Sequence, residues 1–204
     1  MIGDAGAMFD ARREDWRRHV VDLQDRAYEG ATDRAEKELV FERAFALTTP
    51  VAEQVLRALD AAYLGGRGTV AAQPPARVSP EELLGAGRQP MGGLLGAWQL
   101  TWPRLEQARN RLDGRALPAV EIFAMFPSDF THPHLALCDL SRPRRWVACW
   151  PFQVSSAADA ERQETVLAVI AEADMHERTF VGDLNWRLLD VAKTSTTTGF
   201  RDAE

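Results

Sequence analysis

Hydrophobic positions fall into two regimes along the chain, spaced at helical intervals over roughly the first 64 residues and alternating or continuous further on. From Phe9 to Tyr28 the apolar residues Phe9, Trp16, Val20, Leu23 and Ala27 recur at helical spacing among Asp, Glu and Arg, and Gly30 follows as a stop. This predicts an amphipathic helix. A second helix is predicted over Thr32 to Leu47, with a wider apolar surface that includes Leu39, Phe41 and Phe45. A third is predicted from Thr49, with Pro50 at its first helical position, to the Gly65-Gly66 pair.

Between Gly65 and Gly93 glycines and prolines are dense, which favours loop over packed structure. Within it Ser79-Pro80-Glu81-Glu82 has capping-box spacing and predicts one short helix to Leu84. Alternation through Trp98, Leu100 and Trp102 then predicts a strand closed by Pro103, with a short helix to Gly114. Val120 to Phe126, His134 to Leu140 and Arg145 to Phe152 follow as an antiparallel meander spanning 119–153. Ser156, with Asp159 three residues on, caps a long helix to about Arg178, and a further turn is predicted over Leu184 to Ala192.

The expected fold is α+β, an antiparallel sheet of about four strands packed against N-terminal and C-terminal helices. Its parts are an N-terminal helical segment, 1–64, a Gly/Pro-rich connector, 65–93, a sheet-and-helix part, 94–193, integrated with the first segment, and a disordered polar tail, 194–204.

With 204 residues and 46% hydrophobic content the chain can bury a full core. A formal charge of −6 argues against nucleic acid or an anionic membrane as partner, because both need a basic footprint. No basic leader followed by an apolar run occurs at the start, and no stretch approaches the length of a membrane span, so a cytoplasmic location is expected. Cys138 and Cys149 lack metal or redox spacing and read as small apolar residues.

Candidate chemistry concentrates in the meander. If Glu121 lies opposite Asp139 and Phe123 opposite Leu137, with Leu137 opposite Trp150, one sheet face carries Glu121, Phe123, Met125, Leu135, Leu137, Asp139, Trp150 and Phe152. The other face carries Val120, Ile122, Ala124, Ala136 and Cys138 toward the helices. Two carboxylates opposed across a ladder repel unless they share a proton, a cation or an arginine, and a shared proton makes an acid/base couple. Glu121 and Asp139 are therefore the catalytic candidates, with Phe123, Leu137, Trp150, Phe152 and Arg145 lining an aromatic pocket for a small molecule. A one-residue slip of register destroys this arrangement, and pairing of the carboxylates with Arg144 and Arg145 is the structural alternative.

Two further readings stand beside it. His132-Pro133-His134 sets two imidazoles at strand spacing, and His176 completes a candidate metal set. Alternatively the Phe9 to Ala27 stripe docks on a partner or on a second copy of the chain, making a non-catalytic interaction or oligomerisation module. Exposure of Trp16 and Val20 distinguishes an interface from a core helix. The residues themselves fix neither cofactor nor reaction.

Overall fold

The computed structural model describes residues 5–84, 92–109, 114, 116–139, 144–180 and 189; side chains of 5–12, 83, 84, 144 and 180 lie outside that description. The elements are α1 (Ala5–Asp25), α2 (Arg34–Tyr63), β1 (Thr69–Val78), β2 (Leu83–Leu84), β3 (Gly93–Thr101), α3 (Pro103–Gln107), β4 (Val120–Pro127), β5 (His134–Cys138), β6 (Arg144–Pro151), α4 (Ala157–Arg162) and α5 (Glu164–Phe180). Five strands pair antiparallel in the order β1-β3-β4-β5-β6, and the two-residue β2 adds to β6 in parallel. The fold is α+β, as expected. Among the described residues no helix is long and apolar enough to cross a membrane.

Two expected helices merge into one. α2 runs unbroken through Pro50, where the proline removes one amide donor, and Thr48 and Thr49 turn their hydroxyls back onto the Ala44 and Phe45 carbonyls at 2.9 Å. Packing outweighs the local penalty, because Phe41 and Phe45 before the proline and Val55, Leu56 and Leu59 after it all enter the same core. Asp33 caps the helix, accepting from the Ala35 and Glu36 amides.

The Gly/Pro-rich interval is not all loop. β1 occupies Thr69–Val78, with Pro74 and Pro75 at a register shift between Gln73 and Ala76. Proline cannot donate to a ladder and is tolerated on an outermost strand or at a bulge, and β1 is both outermost and bulged. The capping-box spacing at Ser79 does form its bond, Glu82 accepting from the Ser79 amide at 2.8 Å, yet it closes a turn into β2 rather than a helix.

α2 and α5 cover one sheet face. Its core is Trp98, Leu100, Val120, Ile122, Ala124, Phe126 and Leu135 against Phe41, Phe45, Leu56, Leu167, Ile170 and Met175. Phe45 stacks on Trp98 with centroids 4.3 Å apart and planes 5° from parallel. That approach requires Gly96, where an added Cβ would sit 2.7 Å from the Phe45 ring. The long C-terminal helix breaks at Gln163 into α4 and α5, after a full capping box between Ser156 and Asp159. The expected 184–192 turn, Leu189 excepted, and the 194–204 tail lie outside the described residues.

Candidate functional site

The β4–β5 register overturns the expected carboxylate pair. Phe123 lies opposite Ala136, Ala124 opposite Leu135 and Met125 opposite His134, one residue away from the expected pairing. Because side chains alternate, that single step sends Leu135 and Leu137 to the helix-covered face with Ile122 and Ala124. Glu121, Phe123 and Met125 share the other face with Ala136 and Cys138, and Phe123, Met125, Ala136 and Cys138 are buried there with Ala97. The β5–β6 pairing sets Leu135 opposite Trp150 and Leu137 opposite Ala148, so Leu137 and Trp150 share a face, but not with Phe123. Phe152 is fully buried, edge-on to Phe41 and Trp98. No aromatic pocket of the expected composition is assembled from these residues.

Each carboxylate has its own arginine. Glu121 accepts from Gln99 Nε2 at 2.7 Å and lies 3.9 Å from Arg178, whose guanidinium also grips Asp174 Oδ2 at 2.6 and 2.8 Å. The same Asp174 oxygen accepts the Glu121 amide at 2.6 Å, just beyond the last described β4–β5 pair at Phe123. α5 thus completes the ladder with a side chain. Burial pushes the Asp174 carboxyl up to about 6, while Arg178 and the Glu121 amide pull it back. Asp139 closes the β5–β6 hairpin instead, accepting from the Arg145 amide and Nε, both at 3.1 Å.

The histidines divide differently from expectation. His176 is exposed on α5, beside a cavity of about 600 Å³ between α2 and α5 that Leu59, Tyr63, Met175 and Leu189 also line. His132 and His134 are joined by His19 of α1, with ring centroids 4.9 and 5.6 Å from it. Sequence gives no pointer to His19, since its neighbours come from more than a hundred residues away. Among the described residues no group of three or more His, Cys, Asp or Glu is arranged to hold a metal ion. The geometry thus removes His176 from the expected set and leaves the set without converging donors.

α1 reverses the usual sense of an amphipathic helix. Its inward side is polar: Arg18 binds Glu29 at 2.5 Å and Asp159 at 3.1 Å, Asp15 takes Arg162 at 3.4 Å and Gln163 at 3.2 Å, and Asp22 takes Gln153 at 2.8 Å. Its outward side is apolar: Trp16 is 56% exposed, Val20 44% and Leu23 45%. These three positions, spaced i, i+4 and i+7, fall on one stripe.

Compared with known protein families, characterised proteins and solved structures, the chain matches none.

Proposed function

We propose that this protein is an association module that pairs with a second copy of itself through α1. The observation that supports this reading is the helix's inverted amphipathicity: a charged side spent on its own domain and a Trp16, Val20, Leu23 stripe turned to solvent. Burying apolar area drives association, and Trp is among the residues that most often anchor an interface.

The size fits a modest symmetric contact. The exposed parts of the three side chains offer roughly 300 Å² of apolar area per copy, hence about 600 Å² for two, and at the usual apolar share of an interface this implies about 1,000 Å² in all. That is near the lower bound of specific association. Beside the stripe Arg17 is already paired with Glu14 at 2.8 Å, so the contact rests on the apolar residues themselves.

Sedimentation velocity on the full chain over a concentration series tests this. A monomer–dimer equilibrium is expected in the micromolar range, with Val20→Ser plus Leu23→Ser monomeric and unchanged in thermal stability. Wild-type protein that stays monomeric at the highest concentrations would overturn the proposal.

A second reading rests on the α2–α5 cavity, whose volume of about 600 Å³ and lining of Leu59, Tyr63 and Met175 suit an apolar small molecule with His176 as its polar contact. Saturable enhancement of an apolar fluorophore, lost in Leu59→Trp, supports it; an unaltered titration in that variant defeats it.

A further inference from the structure

We infer that His19, His132 and His134 form a proton-operated latch beneath α1, which releases that helix from the domain on acidification while α2 and the sheet stay folded. The inference about association rests on the docking role proposed for α1; the latch itself does not.

Three imidazoles meet where α1 crosses the start of β5. His19 approaches His132 and His134 edge-to-face, at 76° and 83° between planes. His132 Nδ1 is engaged by Thr131 Oγ1 at 2.7 Å, whereas His132 Nε2, His19 Nδ1 and His134 Nδ1 are buried with no hydrogen-bond partner. A neutral ring tolerates one unpaired nitrogen. A protonated ring carries two donors and a charge; Thr131 Oγ1 and nearby backbone carbonyls can take some of the donors, but the charge stays buried.

The surroundings compensate only in part: the backbone of Ala27 favours a proton on His132 and that of His132 a proton on His134, while Tyr28 presents its ring to His132 at 6.2 Å and spends its hydroxyl on the Phe152 carbonyl. Asp22 of α1 is the carboxylate acting on the cluster, and it already accepts from Gln153 and from the Glu29 amide. From α2 comes Lys37, a cation, anchored on the Arg26 and Thr131 carbonyls. Phe130 and Trp146 supply rings on the β5–β6 side, Phe130 stacking edge-on to both His134 and Trp146. Burial first, and the mutual proximity of the rings second, hold His132 and His134 down to about 4; burial also lowers His19.

Release of α1 relieves the crowding at once. Among the described side chains of α1, those of Asp15, Arg18 and Asp22 attach it by ion pairs and hydrogen bonds, which water can replace on release. A histidine held at about 4 when attached and titrating at its ordinary 6.5 when released shifts the balance toward release by roughly thirty-fold at pH 5. His132 and His134 each contribute such a factor.

Amide hydrogen exchange, corrected for its intrinsic pH dependence, reads this in the Val20→Ser, Leu23→Ser chain, which leaves the Trp16 ring on His19 and takes self-association out of play. Protection of α1 amides is expected to fall more than thirty-fold between pH 7 and pH 5 while β3 and β4 amides keep theirs, and the fall should vanish in His19→Gln, His132→Gln, His134→Gln. Flat protection in α1, a fall shared by the sheet, or a fall that survives the three substitutions overturns the latch. Should the triple variant not fold, histidine NMR titration of the parent decides: ring pKa values near 6.5 with α1 still protected refute it, and a single step coincident with loss of α1 protection sustains it. Failure of dimerisation at neutral pH leaves these readings untouched.

Discussion

Arg178 holds Asp174 through two nitrogens, at 2.8 and 2.6 Å, four residues back along α5, with both side chains about 1% exposed. Two buried charges remain tolerable only as a pair, because desolvation of each is costly and their attraction repays it in good geometry. Arg178→Met should therefore destabilise by about 3–5 kcal/mol, since it strands Asp174 and deprives Glu121 of its cation. Asp174→Asn combined with Arg178→Met, which removes the stranded charge yet keeps an oxygen for the Glu121 amide, should cost less than Arg178→Met alone. Urea unfolding of the three proteins checks the order; a double variant worse than the single one would refute the pairing argument.

Gly96 stands under the Phe45 ring, where an added methyl would lie at 2.7 Å. The ring cannot yield easily, being stacked on Trp98, itself fixed by a bond from its Nε1 to Thr49 Oγ1 at 3.0 Å. Gly96→Ala should lose about 1–3 kcal/mol. Phe45→Leu in the same background should recover part of that loss, measured by thermal unfolding.

Asp159 completes the capping box of α4 opposite Ser156, accepts from Ser155 and Ser156, and receives Arg18 and Arg162. Those donors hold its carboxyl well below the usual carboxylate range against the cost of burial. Asp159→Ala should cost at least the roughly 1 kcal/mol of a lost helix cap, and it should also loosen α1, which shares the network. Faster exchange in α1 than in α5 in this variant is the diagnostic result.

Stability should decline on acidification below pH 6.5, and the sign follows from two opposed groups. His132 and His134, lowered to about 4 when folded, bind protons in the unfolded chain first, so each weakens the folded state as pH falls from 6.5 to 4. Asp174, raised to about 6, binds its proton in the folded state first and strengthens it over 6 to 3.8. The net uptake on unfolding is about one proton, or about 1.4 kcal/mol per pH unit near pH 5. In His19→Gln, His132→Gln, His134→Gln, which removes every lowered imidazole of the cluster, the slope should reverse, and denaturant titrations at stepped pH decide it.

What was legible in the residues was mostly what local spacing controls. The strands around Trp98, Ile122, Leu135 and Trp150, the Ser156–Asp159 cap and the α+β class all follow from short-range pattern. Pro50 and the Pro74-Pro75 pair misled because tertiary packing carried α2 through one and an outermost, bulged strand absorbed the other. Register was beyond reach: the turn between Pro127 and His134 sets it, with bonds such as Phe130 N–H to the Pro127 carbonyl, and one residue of difference moved Glu121 away from the face expected for Asp139. The outward turn of Trp16 was equally hidden, since the spacing of an apolar stripe does not say which way it points.

The Pro74-Pro75 kink in β1 has one more consequence. At the open rim of the sheet it removes two donors and offsets the ladder, so a strand from another molecule finds no continuous template there. That rim therefore resists growth by a further strand, whatever surface of the protein meets other molecules.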